Sequence, residues 1–279
     1  MKPSSTVRTI RLEDNSRVAL ERRAHMPARW KGKTPMCGLR HDYVSGEVLN
    51  LGADCKVTAD RSYGPSVWVI RSGILRLQRH SFDGRRQILS LFVPGEIVGY
   101  DHLLRDGMSV ESASDCCLCR IDQREFEAQL ERDRGLHIEL YEQHHDQIER
   151  LRWLTVSIGA LRPEERVSAF LALATRFMPY QPLPDGSSVL TVLLSRADIA
   201  DLLATATETI SRITHSLEEA GVIEIRDPSH FRITDLRRLT EMGRIEASFA
   251  MMPFAPRHVV DRYFARPPLA GVCAFAEGC

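Results

Sequence analysis

The chain has 279 residues, with 37 basic side chains against 37 acidic ones and seven cysteines. That length accommodates two domains that each bury a core, and the even charge excludes a polybasic nucleic-acid coat, so any DNA contact must come from a local surface. Met1 to Glu13 lacks the apolar stretch of a signal peptide, no apolar run reaches the roughly 18 residues of a membrane span, and an odd, irregular cysteine set fits a reducing compartment; a cytoplasmic protein without a membrane partner is expected.

Residues 1–43 are Arg-rich and interrupted by Pro3, Pro27, Gly32 and Pro35, which reads as an N-terminal extension. From 44 to 133 the pattern changes to short apolar alternations broken by turn residues. Val67 to Ile70, Ile74 to Gln78 and Ile88 to Phe92 are separated by Ser72-Gly73, Phe82-Asp83-Gly84 and Pro94-Gly95. Strands this short at near-regular spacing predict an antiparallel β-roll or sandwich. Gln123 to Leu130 reads as a short helix, and Leu136 to Gly159 as a long one within a segment 134–161. In the long helix Leu140, Gln147, Leu151, Leu154 and Ile158 recur at three- and four-residue steps with His144, the seam of a helix that pairs with another. Its opposite face carries Glu142, Asp146, Glu149 and Arg150. Dimerisation through that seam is expected over packing on the helix's own domain, because the helix joins two domains.

A further helix from about Glu164 to Phe177 opens a domain spanning 162–239, and a Pro-rich loop (Pro179, Pro182, Pro184, Gly186) separates it from a compact unit starting near Val189. Within that unit Ser195 and Asp198 have the spacing of a capping box, followed by the apolar Ile199, Leu202 and Leu203. Ala204 to Ala206 reads as a tight turn. A second helix starts at Thr205 or Thr207 and ends near Gly221, a residue suited to a left-handed C-terminal position. On it Ile210, Ile213 and Leu217 can face the core while Glu208, Ser211 and Arg212 share another face. An arginine fork matches the two acceptors of guanine in the major groove, and a carboxylate accepts from the amino groups of cytosine or adenine. Thr207 and Thr209, with Ser195 and Arg196 on the first helix, complete the predicted DNA-contacting set. Val222 to Ile225, the turn Asp227-Pro-Ser229 and Phe231 to Ile233 form a hairpin wing beside the groove. The expected fold class is therefore α+β: an N-terminal β-roll, a long dimerisation helix and a C-terminal winged helix-turn-helix. Residues 240–279 form a C-terminal extension without a legible role.

These segments together resemble the Crp/Fnr family of bacterial regulators over about Val44 to Leu239. Glu208-Thr-Ile-Ser-Arg212 is similar to the Glu-x-x-Ser-Arg signature of its Fnr and FixK branches, and Thr207 stands where the cyclic-AMP branch carries another arginine. The turn departs from the family in having Ala204 where a glycine is usual. Ile70-Arg-Ser-Gly73 and Pro94-Gly-Glu-Ile-Val-Gly99 look like the family's roll strands and turns. The resemblance implies a homodimeric transcription regulator, an activator, that binds double-stranded TTGA-type palindromes and touches RNA polymerase through a roll turn, here Phe82 to Arg86. By analogy the FixK-like branch serves low-oxygen, respiratory or nitrogen-metabolism genes.

No cofactor is expected. The family's cyclic-nucleotide pocket needs a Gly-Glu pair and then Arg-Ser, where an arginine fork binds the phosphate; here Tyr100 follows Gly99, and Val110-Glu111 replaces Arg-Ser, placing a carboxylate that would repel phosphate. The oxygen-sensing branch holds an iron–sulfur cluster on four cysteines. Cys119 resembles its roll cysteine, but only Cys37 and Cys55 lie upstream, and recruiting Cys116 and Cys117 demands another geometry. Thiol-based or cluster-based redox sensing by these five cysteines is the alternative reading, and it requires an exposed thiol of low pKa. A cupin-like enzyme is set aside: His80 and His102 lack the His-x-His pair and downstream ligands of a metal site.

Overall fold

The computed structural model describes residues 47–57, 65–99 and 108–245. The predicted N-terminal extension with Cys37, residues Tyr100 and His102, and the C-terminal extension beyond residue 245 lie outside the described residues.

Seven strands of the described residues build the roll: β1 (Glu47–Leu51), β2 (Ser66–Ser72), β3 (Leu75–His80), β4 (Arg86–Phe92), β5 (Ile97–Val98), β6 (Met108–Ser112) and β7 (Cys116–Asp122). They form two antiparallel sheets, ordered β1-β7-β2-β5 and β4-β3-β6. Alternation along each strand sends one set of side chains between the sheets. Leu51, Trp68, Ile70, Leu75, Leu77, Phe92, Val110 and Leu118 fill that space. Gly73, at φ +83°, makes the turn from β2 to β3, where a Cβ would lie 2.3 Å from the carbonyl oxygen of Asp115; only glycine fits there.

The outer face of the first sheet is covered by α1 (Gln123–Arg132) and the first part of α2 (Arg134–Ala160), with Val67, Val69, Cys119 and Ile121 packing on Phe126, Leu136 and Leu140. Gln143 on α2 serves the edge strand β5 as a substitute neighbour. Its amide donates to the Ile97 carbonyl and accepts from the Ile97 N–H, each at 2.8 Å. Beside it, Arg150 pairs with the fully buried Glu96, and Asp146 lies close to both, its carboxyl pushed up to about 6 chiefly by burial.

The outer face of the second sheet has a different partner. The register of β3 with β4 slips at one point, so that Leu77 opposes Ser90 and Gln78 opposes Ile88. Leu89 is the extra residue of a bulge. The slip brings Ile88 and Leu91, three residues apart, onto the same outer face opposite Gln78 and Arg76. There they join Trp153 and Leu154 of α2 and the apolar residues of the C-terminal domain in one continuous core. That domain consists of α3 (Pro163–Ala174), β8 (Tyr180–Pro182), β9 (Ser188–Thr191), α4 (Arg196–Leu202), α5 (Thr207–Glu219), β10 (Ile223–Ile225), β11 (His230–Ile233) and α6 (Leu236–Met242). The α+β architecture is as the sequence predicts. The predicted Pro-rich loop is instead a hairpin, β8 to β9, which extends the wing into a four-stranded sheet ordered β10-β11-β9-β8. Pro182 sits on its edge strand, where a missing N–H costs no ladder bond.

The long helix requires a correction. Leu140 and Leu154, assigned to the dimer seam, are each only 7% exposed and pack into the chain's own cores, as does the partly buried Ile158. The apolar side chains left in water are Ile138, Tyr141, Ile148, Leu151 and Val156, with Leu151 50% exposed. A helix held between its own domain and a free surface carries two neighbouring stripes, and a heptad count that joins them picks residues from both. The opposite face is charged as expected but only partly in water: Glu142 is exposed, whereas Arg150 is buried against Glu96.

Two expectations follow. A carboxyl whose folded pKa is raised contributes stability below its unfolded value and loses it as pH rises through the folded one. Asp146 therefore weighs against the fold above about pH 6. Asp146→Asn is expected to match the parent near pH 4 and to exceed it above pH 7 by about 1 kcal/mol, less than the full shift because the side chain keeps part of its hydration; melting temperatures across that range check the crossover. The second concerns Ala204, which takes φ +50° in the turn between α4 and α5. Ala204→Gly is expected to relieve that strain and add about 1 kcal/mol in urea unfolding, and a loss of stability there would contradict it.

Candidate nucleic-acid interface

Helix α4 starts as its sequence demands. The Ser195 hydroxyl accepts from the Asp198 N–H at 3.0 Å, and the Asp198 carboxylate accepts from the Ser195 N–H and hydroxyl, closing the capping box. The chain then turns through Ala204, and Arg166 of α3 holds that turn by donating to the carbonyl of Leu203 at 2.8 Å and that of Ala204 at 3.5 Å. Sequence reasoning missed this arginine, because nothing in the spacing ties residue 166 to a turn 38 residues later.

Helix α5 has two faces. Ile210, Ile213, Thr214 and Leu217 are buried beneath it. Its C-terminus closes with the Gly221 N–H on the Glu218 carbonyl and the Val222 N–H on the Leu217 carbonyl, with Gly221 at φ +68°, the pairing that satisfies the last turn. On the other face Glu208 and Arg212 are exposed, with Thr207, Thr209 and Ser211 partly so. Among the described residues Glu208 and Arg212 form no ion pair with each other or with another side chain, so both are free to meet base edges. His215, not singled out in the sequence, extends the exposed face by one turn beside Glu218.

The other predicted contacts divide. Arg196 reaches across to α5, donating to the hydroxyls of Ser211 at 3.3 Å and Thr214 at 3.4 Å, so it braces the reading helix from the side. Ser195 is exposed at the start of α4 with its hydroxyl engaged in the cap. The wing hairpin β10 to β11 is tied down by Arg232, which bonds Glu224 at 2.9 Å, Ser187 at 2.9 Å and Asp185. The Asp227 carboxylate accepts from the N–H groups of Ser229 and His230 at the tip.

The roll positions read differently once placed. Val110 points between the sheets into the apolar core, and Glu111 points to the outer face, where it meets Arg76. The carboxylate therefore does not face the roll interior at all; what the interior lacks at this point is an arginine. Cys55 and Cys116 belong to that interior, while Cys119 lies on the opposite face of β7. Cys55, Cys116, Cys117 and Cys119 are all buried free thiols. Burial pushes the Cys116 thiol up to about 11 and raises that of Cys55 as well. Among the described residues no group of three His, Cys, Asp or Glu side chains is placed to hold a metal ion, and no helix is long and apolar enough to cross a membrane.

Two family models match the chain, the Crp-like helix-turn-helix domain over residues 165–242 and the cyclic nucleotide-binding domain over residues 51–133. Among solved structures, FixK2 from Bradyrhizobium japonicum is similar in fold, with a TM-score of 0.62 at 20% identity, covering 71% of this chain and 98% of that one. The transcriptional activator protein FnrL of Cereibacter sphaeroides is 27% identical over 172 residues, 61% of this chain and 69% of that protein. The nitrogen fixation regulation protein FixK of Azorhizobium caulinodans is 32% identical over 192 residues, 69% of this chain and 76% of its own length. An alignment of 192 residues is longer than either matched domain, and at 32% identity it makes this chain a transcription regulator of the Crp/Fnr family, on its FixK-like branch, rather than an enzyme.

Proposed function

We propose that the protein is a homodimeric activator that reads TTGA-type palindromes, with Arg212 on the guanine and Glu208 on the partner strand. The observation that carries this reading is the pair itself: two exposed, unpaired side chains one turn apart on α5, opposite a face buried by Ile210, Ile213 and Leu217. One reading helix contacts too few bases, and a two-fold pair reads half-sites about one helical turn apart. The exposed stripe of α2 supplies the contact for a second copy, since Tyr141, Ile148 and Leu151 recur at seven- and three-residue steps with His144 between them. Phe82, wholly exposed at the tip between β3 and β4 beside the Asp83–Arg85 pair, is the part of the roll offered to RNA polymerase. The name of the FixK relative, a nitrogen fixation regulation protein, favours nitrogen-metabolism genes as targets, and low-oxygen or respiratory genes follow by analogy with the FixK-like branch.

Among its described residues the roll offers a cyclic phosphate no arginine at this point, because Val110 presents an apolar side chain to its interior and Glu111 is engaged outside it. Buried thiols with raised pKa values are poor nucleophiles and poor sensors, and Cys119 is separated from Cys55 and Cys116 by the sheet. On these described residues, operator binding without cyclic AMP and without a cluster is the reading we propose, in a reducing cytoplasm.

Binding measurements on operators varied at the guanine test the contact. Arg212→Ala is expected to cost about 1 to 3 kcal/mol on the cognate site and to flatten preference at that one position; a preference left intact would remove Arg212 from the guanine. Leu151→Glu is expected to shift the protein from dimer to monomer in analytical ultracentrifugation and to abolish operator binding at concentrations where the parent is saturated. Equal masses for parent and variant would sink the α2 interface.

A further inference from the structure

Besides the shared apolar core, the outer face of β3 and β4 holds the DNA-binding domain through a cluster of charges. Asp198, the third residue of α4, is 2% exposed. Its carboxylate accepts from Arg76 Nη1 at 3.0 Å and from Arg86 Nη2 at 2.7 Å, while the capping hydroxyl of Ser195 donates to it at 2.9 Å. Arg86 Nε also donates to Asp201 at 2.6 Å, three residues further along the helix, and Gln87 donates to the Asp201 carbonyl at 2.6 Å. Arg76 is itself fixed from behind by Gln78 at 2.9 Å, Asp54 at 2.6 Å and Glu111 at 3.5 Å. The cluster lines a cleft of about 410 Å3 between the roll and α4.

We propose that Arg76 and Arg86 are positioning residues for DNA reading: they lock the start of α4 in one orientation on the roll, and so set the distance between the two reading helices. The inference rests on the two-fold reading of DNA proposed above. Apolar side chains slide over one another at little cost, whereas a buried carboxylate must keep its partners. A turn of α4 away from the sheet breaks both arginine bonds of the 2% exposed Asp198 at once, whereas Arg76 keeps Asp54 and Glu111, so the cost of the turn falls on the carboxylate. Because α5 packs on α4 and is braced by Arg196 through Ser211 and Thr214, the orientation of α4 is handed to Glu208 and Arg212. Arg76, Arg86 and the Asp198 and Asp201 they hold all lie off the exposed face of α5, so the lock governs where the reading helix sits and leaves untouched which bases it prefers.

The test uses the full chain with Arg86→Ala and Arg86→Lys, chosen because Asp198 keeps Arg76 and Ser195 in both. Spin labels at the roll tip and on α6 report the intramolecular distance distribution, and operators with lengthened or shortened spacers report the geometry of reading. Arg86→Ala is expected to broaden the distribution, to lower affinity for the full operator by roughly tenfold and to flatten the spacer preference, with base preference inside each half-site unchanged. Arg86→Lys retains the charge and is expected to restore most of the spacer preference. A distribution as narrow as the parent's, or a lowered melting temperature with an unchanged spacer profile, would overturn the lock. If the parent itself shows no spacer preference, the two-fold reading fails, and the distance distribution still decides whether Arg86 orients the domain.

Discussion

The outer face of the β4-β3-β6 sheet cannot stay in water, because the bulge at Leu89 turns Ile88 and Leu91 onto it side by side. Covering that face is the constraint from which the arrangement of the chain follows. The end of α2 covers part of it with Trp153 and Leu154, and the C-terminal domain covers the rest. The other half of the same face is polar, and there Arg76 and Arg86, with Gln78 and Glu111 beside them, meet Asp198 and Asp201 of α4. The apolar half supplies most of the adhesion, since burial of apolar area is favourable without regard to direction. The ionic half contributes direction, because paired buried charges are weak evidence for net stability yet tolerate few geometries.

That division of labour recurs on a smaller scale around the reading helix. Ile210, Ile213 and Leu217 anchor α5 by burial, while Arg196 and Arg166 fix its flank and the turn before it through directed bonds to Ser211, Thr214, Leu203 and Ala204. Glu208 and Arg212, the proposed base contacts, are thereby left without partners among the described residues, while Ser211 and Arg196 hold one another. A contact residue already committed to a neighbour must break that bond before it binds, and the cost subtracts from affinity.

The parts of the molecule governed by local chemistry were legible in the residues themselves. Ser195 with Asp198, Gly221 after a periodic helix, and the Ile210, Ile213 and Leu217 spacing each act within one or two turns of chain, and each is found where its pattern places it. The Glu208 to Arg212 face was legible for the same reason. What depended on distant partners was not. The side of α2 that faces inward is decided by the sheets it lies on, so Leu140 and Leu154 were indistinguishable by spacing from Leu151. The repulsion expected of Glu111 requires it to face the roll interior, but strand parity, which a motif comparison does not carry, sends Val110 inward and Glu111 out. The β8 strand was hidden by Pro179, Pro182 and Pro184, which suit an edge as well as a loop.

The continuous core that runs from Ile88 and Leu91 into Phe170, Leu203 and Ile210 also bears on modularity. A boundary drawn between residues 161 and 162 looks natural from the winged helix-turn-helix outward, yet it divides one hydrophobic unit in two. The roll cut there presents an apolar sheet face to solvent, the kind of surface that leads to aggregation. Heat should therefore melt the two domains in a single cooperative step. A hybrid regulator that joins this roll to the DNA-binding domain of a relative inherits the same obligation: the incoming domain has to match the outer face of β3 and β4 as well as the operator.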